Sequence, residues 1–185
     1  MPATATLPPL VPPTAAEEQR YAELQLMALD FARRGDTANL EAMLRAGLPV
    51  NLADHKGNTL LMLAAYHGRP ETAQALLRHG AAVDRANDRG QTPLGGVAFK
   101  GDLPLARLLL SHGADLEADN GLGMTPVMFA AMFGRTEMVG LLRQHGASLR
   151  RRTRFGISAG LLVRLARVFA ALRNALRPAR LAAVQ

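Results

Sequence analysis

The sequence predicts an all-α solenoid of stacked helix-turn-helix units, each opened by a β-turn, and three observations carry that prediction. Glycines recur every 33 residues in three series: Gly35, Gly68, Gly101 and Gly134; Gly47, Gly80, Gly113 and Gly146; Gly57, Gly90, Gly123 and Gly156. Twelve of the 17 glycines lie in phase, so the spacing is a repeat and not a bias of composition. Other residue types keep the same register. Thr59, Thr92 and Thr125 form one column, Met43, Leu76, Leu109 and Leu142 a second, and His79, His112 and His145 each precede a helix-ending glycine. Finally, only 4% of the residues are aromatic and none is Trp, so the core must be built from Leu, Ala, Met and Val, which suits short helices packed side by side.

Taken in order, residues 1–16 are rich in Pro, Ala and Thr and uncharged, and cannot bury enough apolar surface to offset the entropy of ordering. They are expected to form a flexible tail. The helical pattern starts at Glu17 and opens an N-terminal capping unit, residues 17–54, which places Phe31 over Ala64, Ala32 over Ala65 and Gly35 over Gly68. Leu24 and Leu26 stand where later units carry the turn glycine and threonine, as suits a unit with no neighbour on that side.

Three full units follow, at 55–87, 88–120 and 121–153. Their turns, "DHKG", "NDRG" and "NGLG", close on a glycine free to take positive φ. Thr59, Thr92 and Thr125 are placed as helix N-caps, with Pro93 and Pro126 at the first helical position, where no N–H is needed. The first helix stops at the glycine of "YHGR", "FKGD" or "MFGR", and the second, "AQALLRHG", "ARLLLSHG" or "VGLLRQHG", ends on a glycine suited to a left-handed cap.

The wording "GQTPLGGVAFKGDLPLARLLLSHGAD" resembles the ankyrin repeat, and the resemblance covers roughly residues 22 to 153. Together with the Ala- and Arg-rich composition, "LLMLAAYHG" looks like a stand-alone bacterial ankyrin protein. The sequence departs from the family in one column: the His of its T-P-L-H motif is replaced by Met62, Gly95 and Met128, so the bridge between units that this His makes in relatives is expected to be missing. Leu60 also replaces a proline. Gly95 and Gly96 each cost about 1 kcal/mol against Ala within a helix, which makes unit 88–120 the expected soft point.

The resemblance implies a non-catalytic module that binds another protein through its turn tips and its short first helices, which line the concave side. At the tips stand His55, Lys56 and Asn58, then Asp88, Arg89 and Gln91, then Leu122 and Met124. The column before each inter-helix glycine reads Arg33, Tyr66, Phe99 and Met132, and the next reads Arg34, His67, Lys100 and Phe133. Aromatic and Met side chains edged by cations have the composition of an interface. Tyr66 and Phe99 equally suit packing between units, and the sequence leaves that choice open.

In residues 154–185, Gly156 and Ser158 continue the phase of Gly123 and Thr125, so the segment begins like a fifth unit. Arg167 then occupies the position where the next turn glycine is due, and the helix is expected to run to about Arg177, before Pro178. On a helical projection Leu161, Leu162, Leu165, Val168, Phe169, Leu172 and Leu176 share one sector. Arg164, Arg167, Arg173, Asn174 and Arg177 fill the other side, with Val163 an apolar exception among them.

Two readings follow. In one, the apolar sector covers the open end of the stack while the arginines face water. In the other, residues 157–177 attach to an anionic membrane surface through Arg164, Arg167, Arg173 and Arg177. Four arginines within the segment speak against a transmembrane span. Nucleic acid has the weakest support: Arg150, Arg151, Arg152 and Arg154 could meet phosphates, but only Phe155 and Phe169 are at hand to stack and no reading motif accompanies them.

The net charge of +7 is concentrated at this end, because residues 150–185 carry nine Arg and no acid, leaving 13 basic against 15 acidic residues before them. The absence of Cys removes disulfides, thiolate catalysis and sulfur-rich metal sites. The N-terminus has no Lys or Arg before Arg20 and is broken by five prolines, unlike a secretory signal, so a cytoplasmic monomer is expected. His79, His112 and His145 are a whole unit apart and cannot converge on a metal. Ser111, Ser148 and Ser158 lack a nucleophile context, and no phosphate-cradling loop with Lys is present. The sequence therefore points to no enzyme, no cofactor and no metal, but to a protein-binding adaptor or scaffold. A membrane-surface scaffold, or a stoichiometric accessory of a neighbouring enzyme, stands as the alternative.

Overall fold

A computed structural model describes residues 14–181, with side chains up to Leu172. Most of the expected tail, residues 1–13, and the side chains of Arg173, Leu176 and Arg177 lie outside the described residues. The chain is an all-α solenoid. Inner helices α1 (Ala15–Arg34), α3 (Leu60–Tyr66), α5 (Pro93–Lys100), α7 (Pro126–Met132) and α9 (Ala159–Leu181) stack in one row. Outer helices α2 (Thr37–Arg45), α4 (Pro70–Arg78), α6 (Leu103–Ser111) and α8 (Thr136–Gln144) form a second row behind them. Helix α1 begins two residues ahead of Glu17 because Thr14 caps it: the Glu17 N–H donates to the Thr14 hydroxyl at 3.3 Å and the Thr14 N–H to the Glu17 carboxylate at 2.7 Å.

The stack is held by columns of small apolar side chains. Ala64, Val97 and Ala130 are fully buried, as are Ala65, Ala98 and Ala131 beside them. Polar bridges run along the same period. Asn51, Asp84 and Glu117 accept the backbone N–H of Ala82 at 2.8 Å, Asp115 at 3.0 Å and Ser148 at 2.7 Å, each in the following unit. Burial pushes the Asp84 carboxyl up, although the Asp115 N–H works in the opposite sense. The turns also dock directly: a Cβ on Gly57, which has φ +73, would lie 2.9 Å from the Asp88 backbone nitrogen.

Thr59 and Thr92 cap their helices, accepting the N–H groups of Met62 at 3.1 Å and Gly95 at 3.2 Å. Thr125 occupies the same position, but its buried hydroxyl has no partner. The first turn of α7 is tight, with the Met128 N–H donating to the Thr125 carbonyl at 3.0 Å, so the donor that a cap would take is already used.

At Gly95, where the His of the motif is missing, a different bridge stands in its place. Asn120, only 4% exposed, reaches in from the start of the following turn, and its carboxamide oxygen accepts the N–H of Thr92 at 2.8 Å and the Thr92 hydroxyl at 3.0 Å. Its amide donates to the Ala118 carbonyl at 2.9 Å. A Cβ on Gly95 would overlap this carboxamide. The glycine that weakens α5 locally is thus the condition for a buried bridge, which acts against that weakening. With Asn120 so engaged, Asp119 makes the turn bonds instead, accepting from Gly121 and Gly123 at 2.9 Å each, and Leu122 is turned to a φ of +59.

Helix α9 corrects two expectations. It continues past Pro178 to Leu181, since a proline removes one donor and often kinks a helix without ending it. It also closes the stack with a different face. Ala159 and Val163 are buried while Leu161, Leu165, Val168, Phe169 and Leu172 are 45–68% exposed. Val163 is no exception: it continues the column of Phe31, Ala64, Val97 and Ala130. Backbone bonds fix this rotation, because the N–H groups of Ala159 and Gly160 donate to the carbonyls of Arg151 and Leu149 at 2.9 Å each, and Ser158 caps the helix through the Leu161 N–H at 3.2 Å.

The two adjacent glycines of α5 should respond oppositely to one substitution. Gly96→Ala places a Cβ in ordinary contact, 3.5 Å from Tyr66, and is expected to stabilise the chain by about 0.5–1 kcal/mol. Gly95→Ala must expel Asn120 from its buried bonds and is expected to cost about 1–3 kcal/mol. Urea unfolding of the two variants checks both signs, and a stabilising Gly95→Ala would refute the bridge.

Candidate functional site

The inner helices α3, α5 and α7, with the turns before them, line a concave groove of about 540 Å³. Its middle is shaped by an absence of side chains. Where the flanking units carry Met62 and Leu63, or Met128 and Phe129, α5 carries Gly95 and Gly96. Asn120 fills the first position, and the second stays open as a notch beside the Tyr66 ring.

Of the residues singled out by sequence, His55, Lys56, Asn58, Tyr66, His67, Arg89, Gln91, Phe99 and Phe133 all line this groove. Lys100 joins its edge, with the ammonium 4.4 Å from the centre of the Tyr66 ring, a cation–π contact. Asp88 faces a separate small recess between the first two full turns, together with Lys56 and Arg89. Leu122 is exposed at the next turn tip, Met124 is half-buried against the core, and Met132 is exposed outside the groove. The aromatic ladder divides. Phe99 is half-buried and meets Phe133 edge-on at 4.3 Å, a contact between units, whereas Tyr66 is 42% exposed.

Sequence reasoning did not place Asp54, Asn87, Gly96, Asn120 or Phe129 in a site. The signal that could have found the notch was the double glycine interrupting two columns of large residues.

Asp54 is the one carboxylate among the described residues lining the groove, and its bonds are taken internally. It accepts the Asn58 amide and N–H at 3.0 Å each and the Lys56 N–H at 2.9 Å, and pairs with Arg33 at 3.5 Å. Burial works to raise its pKa, but the hydrogen bonds from Asn58 and Lys56 outweigh that and hold it below the usual range. Asn87 fixes the next turn, accepting from the N–H groups of Arg89 and Gln91 at 3.0 Å each and donating to Asn58 at 2.9 Å. Facing solvent around the groove, Lys56, Arg89 and Lys100 stand against the exposed carboxylate of Asp88, so the excess is positive.

Elsewhere, His112 is tied to the Leu108 carbonyl of its own helix at 2.9 Å, and His79 lies 4.0 Å from Glu41. Among the described residues no three metal-binding side chains cluster.

Burial in the groove wall, followed by the charges of Lys100, Arg33 and Arg69, depresses the pKa of His67 below the ordinary 6.5. The unfolded chain then takes up this proton at a higher pH than the folded chain, so His67 makes stability fall as pH drops below 6.5. In an NMR titration the His67 ring should show a midpoint below the ordinary imidazole value, and Lys100→Ala should move it upward. A midpoint at or above the ordinary value contradicts this.

Residues 27–120 and 85–153 match the family described as ankyrin repeats in three copies. A Pseudomonas aeruginosa protein bearing the ankyrin repeat name is 56% identical over 43 residues, which are 23% of this chain and 25% of that protein. This chain thus spans about a quarter of that relative's length. Ankyrin repeats generally mediate protein–protein interaction and are generally not enzymes. With inner and outer helix rows, a β-turn before each full unit and family matches over more than half its length, the chain belongs to the ankyrin-repeat family.

Proposed function

We propose that the chain is a non-catalytic adaptor that holds a partner protein in the concave groove. The observation that carries this reading is the notch over Gly96, walled by Tyr66 and the Phe99–Phe133 pair, inside a rim where the cations outnumber the one exposed carboxylate, Asp88. A notch between aromatic rings suits one inserted apolar side chain, the usual form of an interface anchor. A rim with an excess of cations favours acidic groups around that anchor. The partner segment is accordingly an extended stretch of acidic residues with a single large apolar side chain among them. Leu122, apolar, exposed and held at positive φ on the neighbouring turn, offers a further contact.

Two variants test this reading against a partner captured by the native chain. Gly96→Leu fills the notch, and Lys56→Glu with Arg89→Glu reverses the rim. Each is expected to weaken capture about tenfold or more without lowering the unfolding midpoint, while Glu137→Lys on outer helix α8 leaves capture unchanged. Capture indifferent to both groove changes would end the proposal.

A further inference from the structure

We infer that α9 works with two faces, one closing the repeat stack and the other lying on an anionic lipid surface. The first face is set by the repeat phase, which turns Ala159 and Val163 into the stack. The opposite face is exposed among the described residues, and it is apolar: Leu161, Leu165, Val168, Phe169 and Leu172 are all exposed, Phe169 at 68%. None of them lines the concave groove.

Length separates this stripe from ordinary repeat surface. Inner helix α7 spans 7 residues and α9 spans 23, so α9 extends roughly 24 Å beyond the point at which an inner helix ends. Val168, Phe169 and Leu172 lie on that extension, beyond the last helix pair of the described residues.

Charge decides the occupant. Arg164 flanks the stripe, Arg167 lies on the side of Val163 beside α7 and α8, no ion pair among the described residues involves either, and residues 150–185 hold nine Arg and no acid. Two copies meeting stripe to stripe would bring arginines together with no acid from either segment to offset them. A bilayer carrying acidic headgroups offers both complements at once: acyl chains for the apolar stripe, and phosphate or carboxylate groups for side chains that reach outward from its edges. No described helix is long and apolar enough to cross a membrane, so the contact lies along the surface.

The test uses the full chain and sedimentation with vesicles of phosphatidylcholine, alone or mixed with phosphatidylserine. The chain is expected to sediment with the mixed vesicles and to stay in solution with phosphatidylcholine alone. Val168→Ser with Phe169→Ser touches only exposed positions, should leave the circular dichroism spectrum unchanged, and is expected to abolish sedimentation. Arg164→Gln should weaken it about fivefold. Because the chain has no Trp, Phe169→Trp supplies an independent reporter whose emission should shift to the blue on mixed vesicles. No binding to mixed vesicles, undiminished binding by the serine variant, or an unshifted Trp emission overturns the inference. So does a dimer that the serine variant splits into monomers, which would give the stripe to a second copy.

Discussion

An inner helix of two turns buries its apolar face only when the next inner helix lies directly against it, and this close approach depends on the columns Ala64–Val97–Ala130 and Ala65–Ala98–Ala131. Large side chains there would hold the helices apart, and the bonds from Asn51, Asp84 and Glu117 to the following unit would no longer reach. Once the columns mesh, the register of every unit is fixed relative to its neighbours. The concave groove is then the face that meshing leaves over, and the rotation of α9 is determined before its own amphipathic pattern has any influence.

Gly95 links the fold to the groove. Its missing Cβ admits Asn120, and Asn120, once committed to Thr92, can no longer close its own turn in the way that Asp54 and Asn87 close theirs. Asp119 takes over, and Leu122 adopts a left-handed conformation that costs about 1–2 kcal/mol for a residue with a side chain. One absent methyl group thus produces a buried bridge, a displaced turn and an exposed leucine at its tip. Gly96 beside it produces the notch.

The groove is positive although the chain before residue 150 has slightly more acids than bases. The acids are used structurally. Asp54 closes a turn, Asp84 and Glu117 join units, Asp36 and Asp102 cap helices, and Glu41 pairs with Arg45 and Arg78. Lysines and arginines at the turn tips have no such duty. Structural demand for acceptors at helix starts and turns therefore sorts most of the charges, with acceptors drawn into the frame and cations left on the concave rim, where Asp88 is the exposed acid.

By itself the sequence determined the 33-residue period, the helix pairs and the turn tips, because each is written locally in glycine, threonine and apolar spacing. The phase also contained the role of Val163, which is aligned with Ala130; reading α9 by its strongest amphipathic direction obscured it. Tertiary structure alone decided which face of α9 turned inward, that Phe99 leans on Phe133 while Tyr66 stays open, and that Asn120 replaces a missing bridge from the opposite direction. These outcomes depend on which side chains compete for the same space between units, and that competition exists only after the stack has formed.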